Sequence, residues 1–302
     1  MDAQDKALIK DLSKYEERLK AKATAENVIT LRQGYEDLSR HFMGKKEYDF
    51  AVELFQREIE LIEAYIIPNE AVIRRVATIY ETLAAMLRIV WENTEEALRM
   101  DSNAVTQYKT LYKMDKKYAL ILAEKHFDFA TKVLEAKFDD ALARREYEAA
   151  DELIDEATKG RIAYEESILN AKIKSNLAVV YRKLKEYGKA IDYYEKAIEL
   201  HHYLAGVDPA YKYQIVNIQN NLGFIYDEMG NFKQANDYFT RCLDNALYLE
   251  RKASGTIDYT GLIVVIENLY NKYGDTVRLK RFKEILKGDL TQNKDYFKAL
   301  RD

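Results

Sequence analysis

Four histidines, a single cysteine and a few adjacent carboxylates are the groups in this sequence whose chemistry could support catalysis or hold a metal. His201 and His202 are neighbours and, on a helix, would point about 100° apart, so they do not share a metal easily. Glu199 and His202 match one half of a carboxylate-bridged di-iron motif, but that arrangement needs two such halves and the sequence offers no second. His41 and His126 stand alone and read as ordinary side chains. Cys242 sits where a small apolar residue recurs, which favours a buried hydrophobe over a nucleophile. Asp139 with Asp140, and Glu165 with Glu166, are sequence neighbours that diverge on a helix and make poor acid–base pairs. The glycines are single and fall in turns, so there is no phosphate-cradling loop. The expectation is no catalytic residue, no metal site and no cofactor: the protein is not expected to be an enzyme.

The elements that would position any site must be helical. The chain has 302 residues with only 2 Pro and 11 Gly, too few breakers for a sheet-rich fold. Apolar residues make up 48% and charged residues 32%, as amphipathic helices around a continuous core require. The 24 tyrosines suit half-buried seams between helices, with an apolar ring and a polar tip. A net charge of -4 gives no general attraction to nucleic acid. Charge is biased locally: Arg278–Lys287 holds five basic residues against Glu284, and Asp139–Glu156 holds eight acidic residues against Arg144 and Arg145. Both read as solvated helix faces. One cysteine permits no intramolecular disulfide, which together with the absence of a signal-like leader or an apolar span leads to a cytoplasmic expectation with no membrane contact.

Two stretches repeat each other, Ser175–Leu200 and Asn220–Asn245, 45 residues apart without a gap. Leu177, Ala178 and Tyr181 match Leu222, Gly223 and Tyr226. Ala190, Tyr194 and Ala197 match Ala235, Phe239 and Cys242. Leu177 and Tyr181 share one helix face, the small residues beside them let a partner helix approach, and the aromatic fills the space between units. Tyr35, Leu38, Ser39, Phe42, Ala51 and Phe55 repeat the spacing near the N-terminus, with Glu58 at the last small position. A partial unit aligns Tyr147, Ala150, Ile154 and Ala157 with Tyr187, Ala190, Tyr194 and Ala197, its first helix lying around Lys137 and Ala141. A degenerate unit begins at Asn268-Leu269. Asn69–Trp91 reads as one helix with Pro68 at its start, Asn93 with Glu96 as a cap, and the Pro- and Gly-free run from Thr94 to Leu142 as helix broken near Asp115.

This pattern resembles the tetratricopeptide repeat family, with second helices longer than its usual 34-residue repeat allows, a style similar to kinesin light chains and Rap-type regulators. The resemblance implies an all-α fold of antiparallel helix-pair repeats stacked as a right-handed solenoid. The organisation expected is a capping helix over 1–30, a repeat unit over 31–67, a long helical insertion or degenerate repeats over 68–133, repeat units over 134–287 and a capping helix over 288–302. It also implies a non-catalytic scaffold or adaptor that holds a protein or extended peptide in the groove lined by first helices. The alternative is a Rap-like, peptide-responsive regulator that changes conformation on binding. By that resemblance Asn176, Asn221 and Asn268, each before the packing residue, would bond a peptide main chain, with Lys172, Ser175, Lys183, Asn217, Asn220 and Phe224 around them. The competing reading is that these asparagines tie helices together. The terminal helices are candidates for contacts in a homo-oligomer.

Overall fold

The computed structural model describes residues 2–158 and 163–252, and these are all-α, with eleven α-helices. The chain divides into two compact units, Met1–Lys159 and Gly160–Asp302. The first unit holds α1 (Ala3–Ala21), α2 (Ala25–Gly44), α3 (Tyr48–Tyr65), α4 (Glu70–Ile89), α5 (Thr94–Met114), α6 (Ala119–Glu135) and α7 (Asp140–Thr158). The second holds α8 (Tyr164–Lys183), α9 (Tyr187–Val207), α10 (Lys212–Glu228) and α11 (Phe232–Lys252). In the first unit α2 pairs with α3, α4 with α5 and α6 with α7, while α1 lies against α2. In the second, α8 pairs with α9, α10 with α11, and α9 packs on α10.

Local sequence fixes the helix ends. Asn69 caps α4 and Asn93 caps α5, their side chains accepting from Val72 N at 3.1 Å and Glu96 N at 3.1 Å. Pro68 therefore stands one residue before the cap, not inside the helix. The run from Thr94 breaks at Asp115, where the chain is extended and a short 3₁₀ turn, Lys116–Tyr118, leads into α6. Asp208 and Pro209 open a similar turn ahead of α10.

All five helix pairs share one layout. Among the described residues the left-handed backbone positions are Lys46, Glu92, Lys137, Lys185 and Gly230, one in the turn of each pair. The next amide reaches back to close each turn: Glu47 to Phe42 O, Asn93 to Leu87 O, Phe138 to Val133 O, Glu186 to Tyr181 O and Asn231 to Tyr226 O, at 2.8 to 3.2 Å. Three residues before each acceptor sits a buried small residue: Ser39, Ala84, Ala130, Ala178 or Gly223. The second helix of each pair then buries an alanine completely: Ala51, Ala97, Ala143, Ala190 and Ala235, all 0% exposed. These alanines are 46, 46, 47 and 45 residues apart. One turn beyond each comes a buried knob, Phe55, Asp101, Tyr147, Tyr194 or Phe239.

Two expectations change accordingly. Lys137 is a turn residue and Ala141 belongs to α7, so neither marks a first helix; that role falls to α6. Tyr147 corresponds to Tyr194, 47 residues on, and not to Tyr187, because each stands four residues after the buried alanine of its helix, Ala143 or Ala190. The boundary expected at 133/134 falls inside α6, and the leading segment expected over 1–30 contains the end of α1 and the start of α2. The expected unit beginning at Asn268 and the helix over 288–302 lie outside the described residues.

Two seams of the first unit bury a carboxylate, and the pairs of the second repeat an aromatic stack. Glu58, the departure from the small-residue pattern, is fully buried; its carboxylate takes Arg75 Nε at 2.8 Å and Arg75 Nη2 at 2.7 Å from α4, with Arg32 Nη1 of α2 at 3.4 Å. Asp101, standing where the other pairs carry an aromatic, is held by Arg88 of α4 and by Lys132 Nζ of α6 at 2.8 Å. In the second unit Tyr181 stacks on Tyr193 with centroids 5.5 Å apart, and Tyr226 on Tyr238 at 5.3 Å, the same contact one repeat later.

Candidate functional site

The residues singled out as a partner surface lie on α8 and α10, the first helices of the two pairs in the second unit. Close packing behind them holds these helices in place. Leu177, Ala178, Leu222 and Gly223 are buried, and a Cβ on Gly223 would meet the Phe239 ring at 2.5 Å. The Phe224 ring rests edge-on against Phe239, with centroids 5.1 Å apart. Across from it, Arg182 of α8 lies 5.4 Å over the Phe224 ring and pairs with Glu228 of α10 at 2.5 Å. Phe224 is thus half-buried between two cross-helix clamps, one aromatic and one ionic.

The polar residues of this face separate into three kinds. Lys172, Lys183 and Asn217 are exposed. Ser175 and Asn220, which are equivalent positions, each bury a side-chain oxygen that has no hydrogen-bond partner among the described residues. Asn176 and Asn221 are half-buried. Asn221 hydrogen-bonds the Tyr194 hydroxyl of α9; burial pushes the Tyr194 phenol up to about 12, against the opposing pull of Arg182 and of this bond. Asn221 therefore does tie two helices, with part of a carboxamide that can make up to four hydrogen bonds. Asn268 lies outside the described residues.

The groups considered for chemistry are placed structurally. The Asp139 carboxylate caps α7, accepting from Ala141 N at 2.8 Å and Leu142 N at 3.0 Å, and Glu166 accepts from Ala163 N at 3.0 Å at the start of α8. His41 Nε2 lies 2.8 Å from Asp5 Oδ1 and His126 Nδ1 lies 2.6 Å from Glu146 Oε2. His201 is buried, stacked on Tyr211 with centroids 6.0 Å apart, whereas His202 is exposed. Burial, with a smaller push from His202, brings the His201 pKa down to about 4. Cys242 is buried, and burial pushes its thiol up to about 12. Among the described residues no three His, Cys, Asp or Glu side chains gather as metal ligands, and no helix is long and apolar enough to cross a membrane.

The sequence reading placed no site in the first unit, yet a cleft of about 460 Å³ opens there between α3, α4 and α5. Its lining comes from three separate helices and could not be gathered from any one stretch of sequence.

The tetratricopeptide repeat family matches residues 171–203 and, through a second of its profiles, residues 216–246. These two helix pairs are tetratricopeptide repeats. The matches run from α8 into α9 and from α10 into α11, so the candidate face belongs to the first helices of both tetratricopeptide repeats. The pairs of the first unit lie outside the matched residues although they share the turn and the buried alanine. No curated protein matches the sequence. Among solved structures, BtubC (BKLC) from P. vanneervenii is similar at 18% identity over 84% of this chain and 97% of its own, with a TM-score of 0.49. Aspartyl phosphate phosphatase F from Bacillus subtilis is similar at 18% identity over 91% of this chain and 64% of its own, with a TM-score of 0.46. A Rap protein complexed with competence and sporulation factor is similar at 17% identity over 95% of this chain and 77% of its own, with a TM-score of 0.43.

Proposed function

We propose that the protein is a non-catalytic adaptor that holds an extended segment of a partner protein along α8 and α10. The observation that carries this reading is the repetition of a polar step, Ser175-Asn176 on α8 and Asn220-Asn221 on α10, at equivalent positions 45 residues apart. Asn176 and Asn221 are half-buried, and a carboxamide can accept from main-chain amide N–H groups such as an extended ligand carries. An extended chain offers such amides at a regular interval, and equivalent helices offer acceptors at a regular interval. Phe224 supplies an apolar contact between the two steps, while Lys172, Lys183 and Asn217 border the face. Tetratricopeptide repeats commonly serve as protein-binding modules, which agrees with this use of the surface.

The test is a selection of displayed random peptides on the purified full chain, followed by affinity measurement on the enriched sequence. Asn176→Ala combined with Asn221→Ala should weaken binding by about tenfold or more, as loss of one to two main-chain hydrogen bonds implies. Unchanged affinity in the double variant, accompanied by early melting, would mean that the asparagines only join helices.

A further inference from the structure

The cleft of the first unit has the form of a helix-sized trough. On α3 it is lined by Asp49, Val52, Gln56 and Glu60, on α4 by Tyr80, Leu83 and Leu87, and in the turn after α4 by Trp91. On α5 it is lined by Glu96, Met100 and Asn103. Steps of three and four residues keep each set on one helix face. Asp49 to Glu60 rises about 16 Å, or three turns, and Tyr80 to Leu87 about 10 Å, or two, with Trp91 just past the end of α4. The floor is apolar, with Ile59, Leu83 and Met100 buried. At one end Trp91 is 38% exposed, its ring edge-on to Tyr48 with centroids 6.5 Å apart.

The rim is acidic. Arg99 is the only cation in the lining among the described residues, and it is already paired with Glu96. Asp49 and Glu60 are exposed and make no ion pair among the described residues. Beyond Glu60, Glu63 adds to burial in raising the Tyr80 phenol, against the pull of Arg99, so its charge reaches the trough. An apolar floor, with uncompensated carboxylates along the three turns of the α3 wall, complements a helix that has an apolar stripe flanked by lysine or arginine. A compact small molecule would leave most of that length and both carboxylates unused.

We propose that this trough is a second docking site, which takes a basic amphipathic helix of about three turns from a partner protein. The apolar stripe of that helix covers Leu83, Leu87 and Trp91, and its cations meet Asp49 and Glu60. The site is independent of the α8 and α10 face.

Trp91 is the single tryptophan of the chain and reports directly on occupancy. The experiment titrates the full-length protein with a synthetic amphipathic Leu/Lys helix of roughly three turns and follows tryptophan emission. A saturable blue shift is expected. Glu-for-Lys and scrambled versions of the peptide should give none. Asp49→Lys with Glu60→Lys, both at exposed positions, should weaken binding about tenfold or more, whereas Asn176→Ala with Asn221→Ala should leave it unchanged. The proposal fails if no saturable change occurs, if the control peptides bind equally, or if the charge reversal has no effect. It fails equally if a neutral quencher cannot reach Trp91 in the free protein, since the trough would then already be covered by a second copy or by the chain itself.

Discussion

Glu58 provides a test in which the repeat pattern and the structure give opposite answers. The equivalent position is Ala104, Ala150 or Ala197 in other pairs, so the pattern alone makes Glu58→Ala a harmless or stabilising return to type. In the structure this carboxylate is fully buried and carries two short charge-assisted bonds to Arg75, with Arg32 a third neighbour. Removing one partner of a buried ion pair costs about 3–5 kcal/mol because the other charge is left uncompensated. The Arg75 and Arg32 side chains keep 21% and 24% exposure, so water relieves part of that penalty and the expected loss is near the lower end, about 3 kcal/mol. Glu58→Gln keeps the shape and one acceptor and should cost about 1–2 kcal/mol. Urea unfolding followed by Trp91 emission isolates the first unit, where both residues lie. A double-mutant cycle with Arg75→Ala should return a coupling of at least about 1 kcal/mol. A loss below about 1 kcal/mol in Glu58→Ala would refute the argument that this seam is ionic.

Three further outcomes follow from the second unit. Gly223→Ala should destabilise it by about 1–3 kcal/mol, since the new methyl would press on the Phe239 ring; Ala235→Leu should do the same from the facing helix, and thermal unfolding by circular dichroism checks both. His201 is held with its pKa near 4, below its ordinary 6.5, so the unfolded chain binds the extra proton in that interval. Stability should therefore be complete above about pH 6.5 and fall as pH drops towards 4, and His201→Leu should flatten that slope in chemical unfolding measured across the range. Cys242, buried with its thiol raised to about 12, should resist a thiol reagent at pH 8 in the native protein and react when denaturant is added; fast native labelling would contradict its burial.

The second unit was legible in the sequence because apolar chemistry marks every key position there. Ala190, Tyr194 and Ala197 announce the same geometry as Ala235, Phe239 and Cys242. The pairs α4–α5 and α6–α7 share that geometry but conceal it. Asp101 replaces the aromatic knob and is made tolerable by Arg88 and Lys132, partners found only after folding. In α7 the tyrosine–alanine spacing of Tyr147 and Ala150 also fits Tyr187 and Ala190, and only the buried Ala143 one turn earlier sets Tyr147 opposite Tyr194. At the candidate face, the recurrence of Asn176 and Asn221 was visible in one dimension, but the bond from Asn221 to Tyr194 was not, because those residues meet only when α9 packs on α10. The trough beside Trp91 was invisible for a similar reason: its three stripes come from helices that are each unremarkable alone.

The left-handed turn residues bear on how the chain can be dissected. Four of the five turns place lysine or glutamate in a conformation that disfavours a side chain by roughly 1–2 kcal/mol, and only the α10–α11 turn meets it with glycine. A hairpin excised with such a turn starts at a deficit and must draw on a neighbouring pair to stay folded. Fragments cut to contain one pair from the first unit should consequently be poor folders, while exchanging Lys46, Glu92, Lys137 or Lys185 for glycine would give each hairpin more autonomy. The chain thus distributes its stability between neighbours, so that cutting or loosening one pair is felt by the next.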